Sequence, residues 1–193
     1  MRVYLETDRM VLRRFTEADV DNLFDLDSDP DVMRFLNGGK PTPRDVIENE
    51  ILPRLLREYE RFAGYGRWAA VEKSTGEFLG WFALRPREGG GLDEAELGYR
   101  LRKSAWGKGY GTEGSRALIN KGFTQLGVQR VFAQTMAVNV ASRRVMEKAG
   151  LTLVRIFHQS WPDPIDGAEH GEVEYGLHKA DWEAERDGAL RTQ

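Results

Sequence analysis

The spacing of apolar residues divides the chain into a helical first third, a strand-rich middle and an alternating end. Tyr4–Leu5 and Met10–Arg14 are short apolar segments that read as strands. Thr16-x-x-Asp19 then opens a helix running through Asp27, with Val20, Leu23, Phe24 and Leu26 on its buried side, and Asp29-Pro30 ends it. A short helix from Pro30 to Leu36 precedes Asn37-Gly38-Gly39. Thr42-Pro43 caps a longer helix reaching about Phe62, in which Ile47, Ile51, Leu55 and Tyr59 recur every four residues and Pro53 introduces a bend.

The period then drops to two. Arg67–Glu72, Phe78–Arg85 and Ala95–Leu101 read as an antiparallel meander, joined by a Lys73-Ser74-Thr75-Gly76 turn and a glycine-rich loop through Gly91. A helix over Thr112–Leu126, a strand over Arg130–Thr135 and a helix over Ala141–Ala149 stopped by Gly150 follow. Strands over Leu151–His158 and Gly171–His178 and a polar helix complete the pattern. This order predicts an α/β fold, a mixed sheet with helices on both faces. The length suits one domain over residues 1–187 with a tail over 188–193, enough to bury about 70% of the unfolded surface.

The most informative stretch is Arg100–Gly114, RLRKSAWGKGYGTEG, where a strand runs through a basic glycine loop directly into a helix. Gly107, Gly109 and Gly111 allow backbone N–H groups to converge, and the unpaired N–H groups of a new helix add the positive end of its dipole. Arg102, Lys103 and Lys108 bring positive charge beside it, so the loop reads as a phosphate cradle, and a side chain placed at Gly111 is expected to intrude on the phosphate. Gly109-x-Gly111-x-x-Gly114 also fits the dinucleotide-binding pattern. That reading fails because the motif does not follow its strand at once and the next strand ends in Gln134-Thr135-Met136, without the acid that would hold a ribose. No Gly-Lys-Ser/Thr closes the loop as a P-loop would.

Composition narrows the partners. With 28 Lys+Arg against 31 Asp+Glu the net charge is −3, so no general basic field points to nucleic acid. The absence of cysteine excludes disulfides, thiolate metal sites and a cysteine nucleophile, and three scattered histidines make no metal centre. The N-terminus has no apolar h-region and no stretch approaches about 18 apolar residues, so a soluble cytoplasmic protein with no membrane partner is expected. A homodimer is compatible with the sequence.

Four blocks in fixed order resemble the GNAT superfamily of acyl-CoA-dependent N-acetyltransferases. Leu5–Arg13, LETDRMVLR, looks like the opening of its RimJ/RimL-like branch, named after ribosomal-protein N-terminal acetyltransferases. Ala95-Glu96-Leu97-Gly98-Tyr99 resembles the fourth strand. Trp106-Gly107-Lys108-Gly109-Tyr110-Gly111-Thr112-Glu113 resembles the acetyl-CoA signature, with Trp106 in place of the usual Gln or Arg. Asn139 through Ser142 to Gly150-Leu151 resembles the N-x-x-S…G-F/L block. The resemblance runs from Leu5 to about Trp182.

The resemblance implies a central, mostly antiparallel sheet of about seven strands, splayed between its fourth and fifth strands, here 95–101 and 130–135. It implies acetyl-CoA as cosubstrate, an amine as acceptor and no metal. The pantetheine arm would bond backbone near Gly98–Arg102, so Leu101 and Arg102 join Trp106, Gly107, Lys108, Gly109, Tyr110, Gly111, Thr112, Asn139 and Ser142 as cofactor-binding residues. Trp106 reads equally as a plug under the loop. Glu96 is the expected general base, against an edge carboxylate paired to Arg100 or Arg85. Ser142, alone or with an ordered water, is the candidate acid, because Met146 stands where many relatives carry a tyrosine four residues later, and the alternative is thiolate release without an acid, since a thiol of pKa about 8.5 needs little help; Asn139 and Ser142 also read as a helix cap. Glu113 reads as pinning the loop or favouring the helix dipole. Arg143, Arg144 and Lys148 form a basic helix face, open either to the 3′-phosphate or to solvent. Phe35, Trp81, Phe82, Phe157 and Trp161 read as core, with one or two walling the acceptor site. Asp163, Asp166, Glu169 and Glu172 in and after a turn-rich loop suggest a cationic or polar acceptor, and the alternative to an enzyme is a non-catalytic acyl-CoA-binding module of the same fold.

Overall fold

The computed structural model describes residues 2–159 and 163–190 and builds one eight-stranded sheet with helices on both faces. The strands are β1 (Val3–Glu6), β2 (Met10–Arg13), β3 (Gly66–Glu72), β4 (Phe78–Pro86), β5 (Glu94–Leu101), β6 (Arg130–Met136), β7 (Thr152–Phe157) and β8 (Glu172–His178). They lie in the order β1-β2-β3-β4-β5-β6-β8-β7, antiparallel throughout except β5–β6. The count is eight rather than about seven because each short N-terminal segment forms its own strand in a β1–β2 hairpin.

Helices α1 (Val20–Ser28), α2 (Pro30–Asn37), α3 (Arg44–Val46) and α4 (Leu52–Arg61) precede β3, whereas α5 (Tyr110–Gln125), α6 (Val140–Lys148) and α7 (Lys179–Leu190) follow β5, β6 and β8. Alternation along β3 divides the core in two. Trp68 joins Phe82, Leu84, Leu97, Leu118, Ile119 and Phe123 on one side, and Ala69 joins Phe15, Leu23, Leu26, Ile47, Leu52, Leu55 and Phe78 on the other. Helix α7 runs to Leu190, into the residues read as a tail, and Trp161 lies outside the described residues.

Two local departures from the sequence pattern have physical causes. Residues Glu17–Asp19 form a single 3₁₀ turn before α1, and Asp19 anchors that turn instead of beginning an α-helix. Its carboxylate accepts from the Thr16 N–H at 2.9 Å and, bidentately, from Arg13 at 2.8 and 2.7 Å. In the long helical run, the expected four-residue stripe slips by one. The Leu52 N–H bonds back five residues to the Ile47 carbonyl, a π turn over Ile47–Ile51, so that Leu52 is buried and Ile51 half-buried. The turn sits immediately before Pro53, which lacks an N–H to continue a regular ladder.

The sheet divides at one place. Parallel pairing between β5 and β6 covers Glu94–Arg130, Ala95–Val131 and Glu96–Phe132. Beyond that rung β5 stays with β4 as far as Leu101, and β6 stays with β8 as far as Met136. The segments 97–101 and 133–136 therefore separate, and the edge of β5 facing the gap has no strand partner among the described residues.

Candidate active site

The glycine loop sits at the open end of this split. Lys103–Ala105 form a 3₁₀ turn, Gly107 (φ 71°) and Gly109 (φ 85°) are left-handed, and α5 begins at Tyr110. A left-handed residue directly before a helix turns the chain sharply enough that the preceding N–H groups face the same way as those of the first turn. Among the described residues, the backbone N–H groups of 107–112 have no partner. This bank of donors at the positive end of a 16-residue helix is the arrangement that holds phosphate oxygens, and it fits the pyrophosphate of coenzyme A.

The side chains around the loop are divided differently from the sequence expectation. Trp106 is 45% exposed and no plug; its indole N–H donates to the Leu101 carbonyl at 2.8 Å, which fixes the ring at the rim. Arg102 and Lys103 turn toward the first helices, Arg102 to Asp25 at 3.3 Å and Lys103 to Asp31, while the Lys108 side chain is exposed. Tyr110 is buried beneath Arg9, and its hydroxyl bonds Glu72, so it offers the cradle only backbone. A Cβ on Gly111 would lie 3.2 Å from Val145 Cγ2 and 3.8 Å from Leu101, inside the α5–α6 packing and not in phosphate space. Gly114 serves the same purpose more tightly, since a Cβ there would fall 2.3 Å from the Phe82 ring. Thr112 is half-buried.

Glu113 pins the loop. It accepts from Thr7 Oγ1 at 2.6 Å, from the Arg9 N–H at 3.0 Å and from the Arg9 guanidinium at 2.7 Å. Burial alone would raise its carboxyl pKa, and these bonds outweigh burial and hold it below the usual range. Arg9 also donates to the Lys108 carbonyl at 2.9 Å. The N-terminal Thr7-Asp8-Arg9 block is thus a brace for the start of α5.

Glu96 stands on the last β5–β6 rung, where the split begins. Its Oε2 accepts from Arg85 Nη2 at 2.5 Å, both side chains are about one-third exposed, and Arg85 is the one side chain that bonds it among the described residues. Of the two partners weighed from sequence, Arg100 is engaged elsewhere, with Asp27 at 2.6 Å. On the same face, Trp81 lies beside Gly98, where a Cβ would be 3.7 Å from its ring, and the guanidinium groups of Arg67 and Arg100 lie 5.6 and 5.2 Å from that ring. An aromatic wall with cations at its edges therefore borders the Glu96 side of the split. Phe82 is core, Phe35 and Phe157 are half-buried.

On the opposite face, Ser142 enters from α6. Asn139 caps that helix: its Oδ1 accepts from the Ser142 N–H at 3.2 Å and its Nδ2 donates to Thr135 Oγ1 at 3.1 Å, so both ends of the amide are in local use. Ser142 Oγ lies 2.9 Å from the Tyr99 hydroxyl, a partner that sequence reasoning did not assign to the site. The signal was present, since a tyrosine on the buried face of a strand needs a polar contact for its hydroxyl. Met146 is fully in the core. Arg143 turns inward to Tyr175 and the Ala137 carbonyl, whereas Arg144 and Lys148 are exposed.

Elsewhere, Glu174 is buried on β8 and accepts from Arg130 at 2.8 Å, Gln134 at 2.9 Å and Arg155 at 2.9 Å. Burial pushes its carboxyl up, but the three donors pull it down to about 2. Asp163, Asp166 and Glu169 are exposed, Asp163 lying 3.8 Å from Lys40, and Glu172 is buried at the start of β8. Among the described residues no helix is long and apolar enough to cross a membrane.

Comparison with known proteins agrees with this geometry. The model of the acetyltransferase (GNAT) domain matches residues 9–152. The chain is 34% identical over 163 residues to FsC-acetyl coenzyme A-N(2)-transacetylase of Aspergillus fumigatus, covering 81% of this chain and 68% of that protein. It is 33% identical over 162 residues to YkkB of Bacillus subtilis, covering 83% and 91% respectively. Its fold is similar to that of RimL, a ribosomal L7/L12 α-N-protein acetyltransferase solved with coenzyme A, at a TM-score of 0.74 with 18% identity over 92% of this chain and 98% of that one. A split mixed sheet, a donor-lined loop at its mouth and a family match over most of the chain lead to one conclusion: this protein belongs to the GNAT family of acetyltransferases.

Proposed function

We propose that the protein transfers acetyl from acetyl-CoA to a primary α-amine, of a peptide N-terminus or a small amino compound, by direct attack in a ternary complex. The observation that carries this reading is the split beyond the Glu96–Phe132 rung, with Glu96 and Trp81 on one face and Ser142 on the other. The donors of residues 107–112 hold the phosphates, and the unpaired edge of 97–101 receives the pantetheine amides as an added strand. The amine enters from the Trp81 side. Its nitrogen forms the new C–N bond, its proton goes to Glu96, the C–S bond breaks with its electron pair moving to sulfur, and Ser142 donates a hydrogen bond to that sulfur.

Acceptor basicity decides between amine classes. A lysine amine, pKa about 10.4, costs about 3–4 kcal/mol more to deprotonate than an α-amine near 7.7–8, and one Arg-paired carboxylate supplies little to offset it. Two similar proteins have names that agree, one an N(2)-transacetylase and the other an α-N-protein acetyltransferase. The loop acids lie exposed or at the start of β8, so the preference is argued from the amine and not from an acidic pocket.

The test is thiol release from acetyl-CoA across a panel of amines, with Glu96→Gln alongside. The variant is expected to lose about 10²–10⁴-fold in turnover and the acidic limb of its pH–rate curve, with acetyl-CoA affinity nearly unchanged. Wild-type turnover in Glu96→Gln removes the base assignment. Mass spectrometry of a peptide carrying both amine types reads the acceptor, and exclusive ε-acetylation overturns the ranking. Acetyl-CoA binding without thiol release for any amine favours the non-catalytic module.

A further inference from the structure

Tyr99 and Ser142 share two hydroxyl protons among three acceptors. The Tyr99 hydroxyl oxygen lies 3.0 Å from the Ser142 carbonyl oxygen and 2.9 Å from Ser142 Oγ, so its proton can be given to either. A carbonyl can only accept, so the pair has two arrangements. With the phenol proton on the carbonyl, the serine proton is drawn back to Tyr99 Oη. With the phenol proton on Oγ, the serine O–H is released to point elsewhere.

The surroundings fix the tyrosine and leave the serine half-open. Tyr99 lies on the β5 face opposite Glu96, its ring 6.2 Å from that of Phe82, while Ser142 is only partly buried at the first turn of α6. Burial pushes the phenol up to about 12, only partly opposed by its bond to Ser142. A coenzyme A thiol ionises near 8.5, so giving the phenol proton to a thiolate runs uphill by about 3.5 pH units, a factor above 10³. Tyr99 keeps its proton and acts as a donor. Met146, in the core four residues past Ser142, has no proton to offer.

We propose that Tyr99 is a positioning residue that acts through Ser142: its hydroxyl donates to Ser142 Oγ and turns the serine O–H outward onto the leaving sulfur. The proposal rests on the role given to Ser142 above. No proton changes owner within the pair. The C–S electron pair moves to sulfur, the Ser142 hydrogen bond stabilises the developing charge, the amine proton goes to Glu96, and the thiolate is protonated by water after release.

A double-mutant cycle tests it, with kcat and KM for acetyl-CoA measured for Tyr99→Phe, Ser142→Ala and the double variant. Tyr99→Phe is expected to lower kcat about tenfold with KM within about twofold, and to have no further effect when Ser142 is already alanine. Wild-type kcat in Tyr99→Phe, or the same loss in the Ser142→Ala background, overturns the proposal. Wild-type kcat in Ser142→Ala overturns the Ser142 assignment itself and the proposal with it, so the two failures are distinguishable. If Tyr99→Phe folds poorly, a fluorinated tyrosine at 99 keeps the shape with a more acidic phenol. Its kcat is then expected to fall at alkaline pH where the wild type is flat, and an unchanged profile counts against the proposal.

Discussion

Arg9 and Glu113, 104 residues apart in sequence, are joined through both the backbone N–H and the guanidinium of Arg9, at 3.0 and 2.7 Å. The brace connects the β1–β2 turn to the first turn of α5, so the turn that opens the chain steadies the donor loop. Glu113→Ala leaves the Arg9 and Thr7 donors without their acceptor, and a loss of about 1–3 kcal/mol in urea unfolding is expected. Acetyl-CoA affinity should weaken with it in calorimetric titration. A variant as stable as the wild type would show that the brace is redundant.

Gly111→Val is expected to act on packing first. The added side chain meets Val145 and Leu101, and overpacking of this kind costs about 1–3 kcal/mol. Thermal melts should drop even without acetyl-CoA. A variant with native melting and lost cofactor affinity would return Gly111 to the phosphate space.

Asp19 is 2% exposed and held by Arg13 through two bonds. The bonds outweigh the burial that would raise its carboxyl pKa, which lies below the usual range. Removing one partner of a buried pair leaves an uncompensated charge, so Asp19→Ala should cost about 3–5 kcal/mol, and Arg13→Ala a comparable amount. Arg13→Ala/Asp19→Ala in combination should recover part of the loss, which denaturant titration of the three variants measures.

Glu174 gives a pH signature. Its folded carboxyl titrates at about 2, below the roughly 4.3 of an unfolded glutamate, so the unfolded chain binds the proton first as pH falls. The stabilisation is fully present above about pH 5, declines through pH 4 and 3, and is lost near 2. Glu174→Gln should therefore unfold earlier than the wild type at pH 6, with the gap about halved at pH 3 and closing only near pH 2. A constant gap across that range contradicts the pairing with Arg130 and Arg155.

The element order, the parallel crossover and the donor loop are legible in the sequence because each rests on a local signal: a hydrophobic period, a glycine at a left-handed turn, an Asn before a helix. The four-residue stripe that named Ile51 and not Leu52 fails because a π turn is set by tertiary packing and by the neighbouring proline, neither of which has a period. Arg102 and Lys103 read as positive charge beside the phosphate cradle because their partners, Asp25 and Asp31, lie more than 70 residues away. Tyr99 escaped for the same reason: its contact with Ser142 exists only once β5 and α6 face each other. The side chain of Glu96, by contrast, was placed with one of its two foreseen arginines, because cross-strand neighbours follow from strand register.

Helix α1 is gripped twice from one strand and its extension, at Asp27 by Arg100 and at Asp25 by Arg102. Arg102 belongs to the loop that presents the α5 donors, and Arg100 flanks Trp81, on the side that the proposed mechanism gives to the amine. Under the proposed function, a ligand that recruits Arg102 releases Asp25 on α1, and any effect this has on the second substrate is mutual: each substrate changes the affinity of the other by the same factor. The Arg102–Asp25 pair is exposed on its acidic side, and such pairs are weak, so the interdependence expected from this reading is a few-fold at most, which acetyl-CoA titration with and without the amine measures.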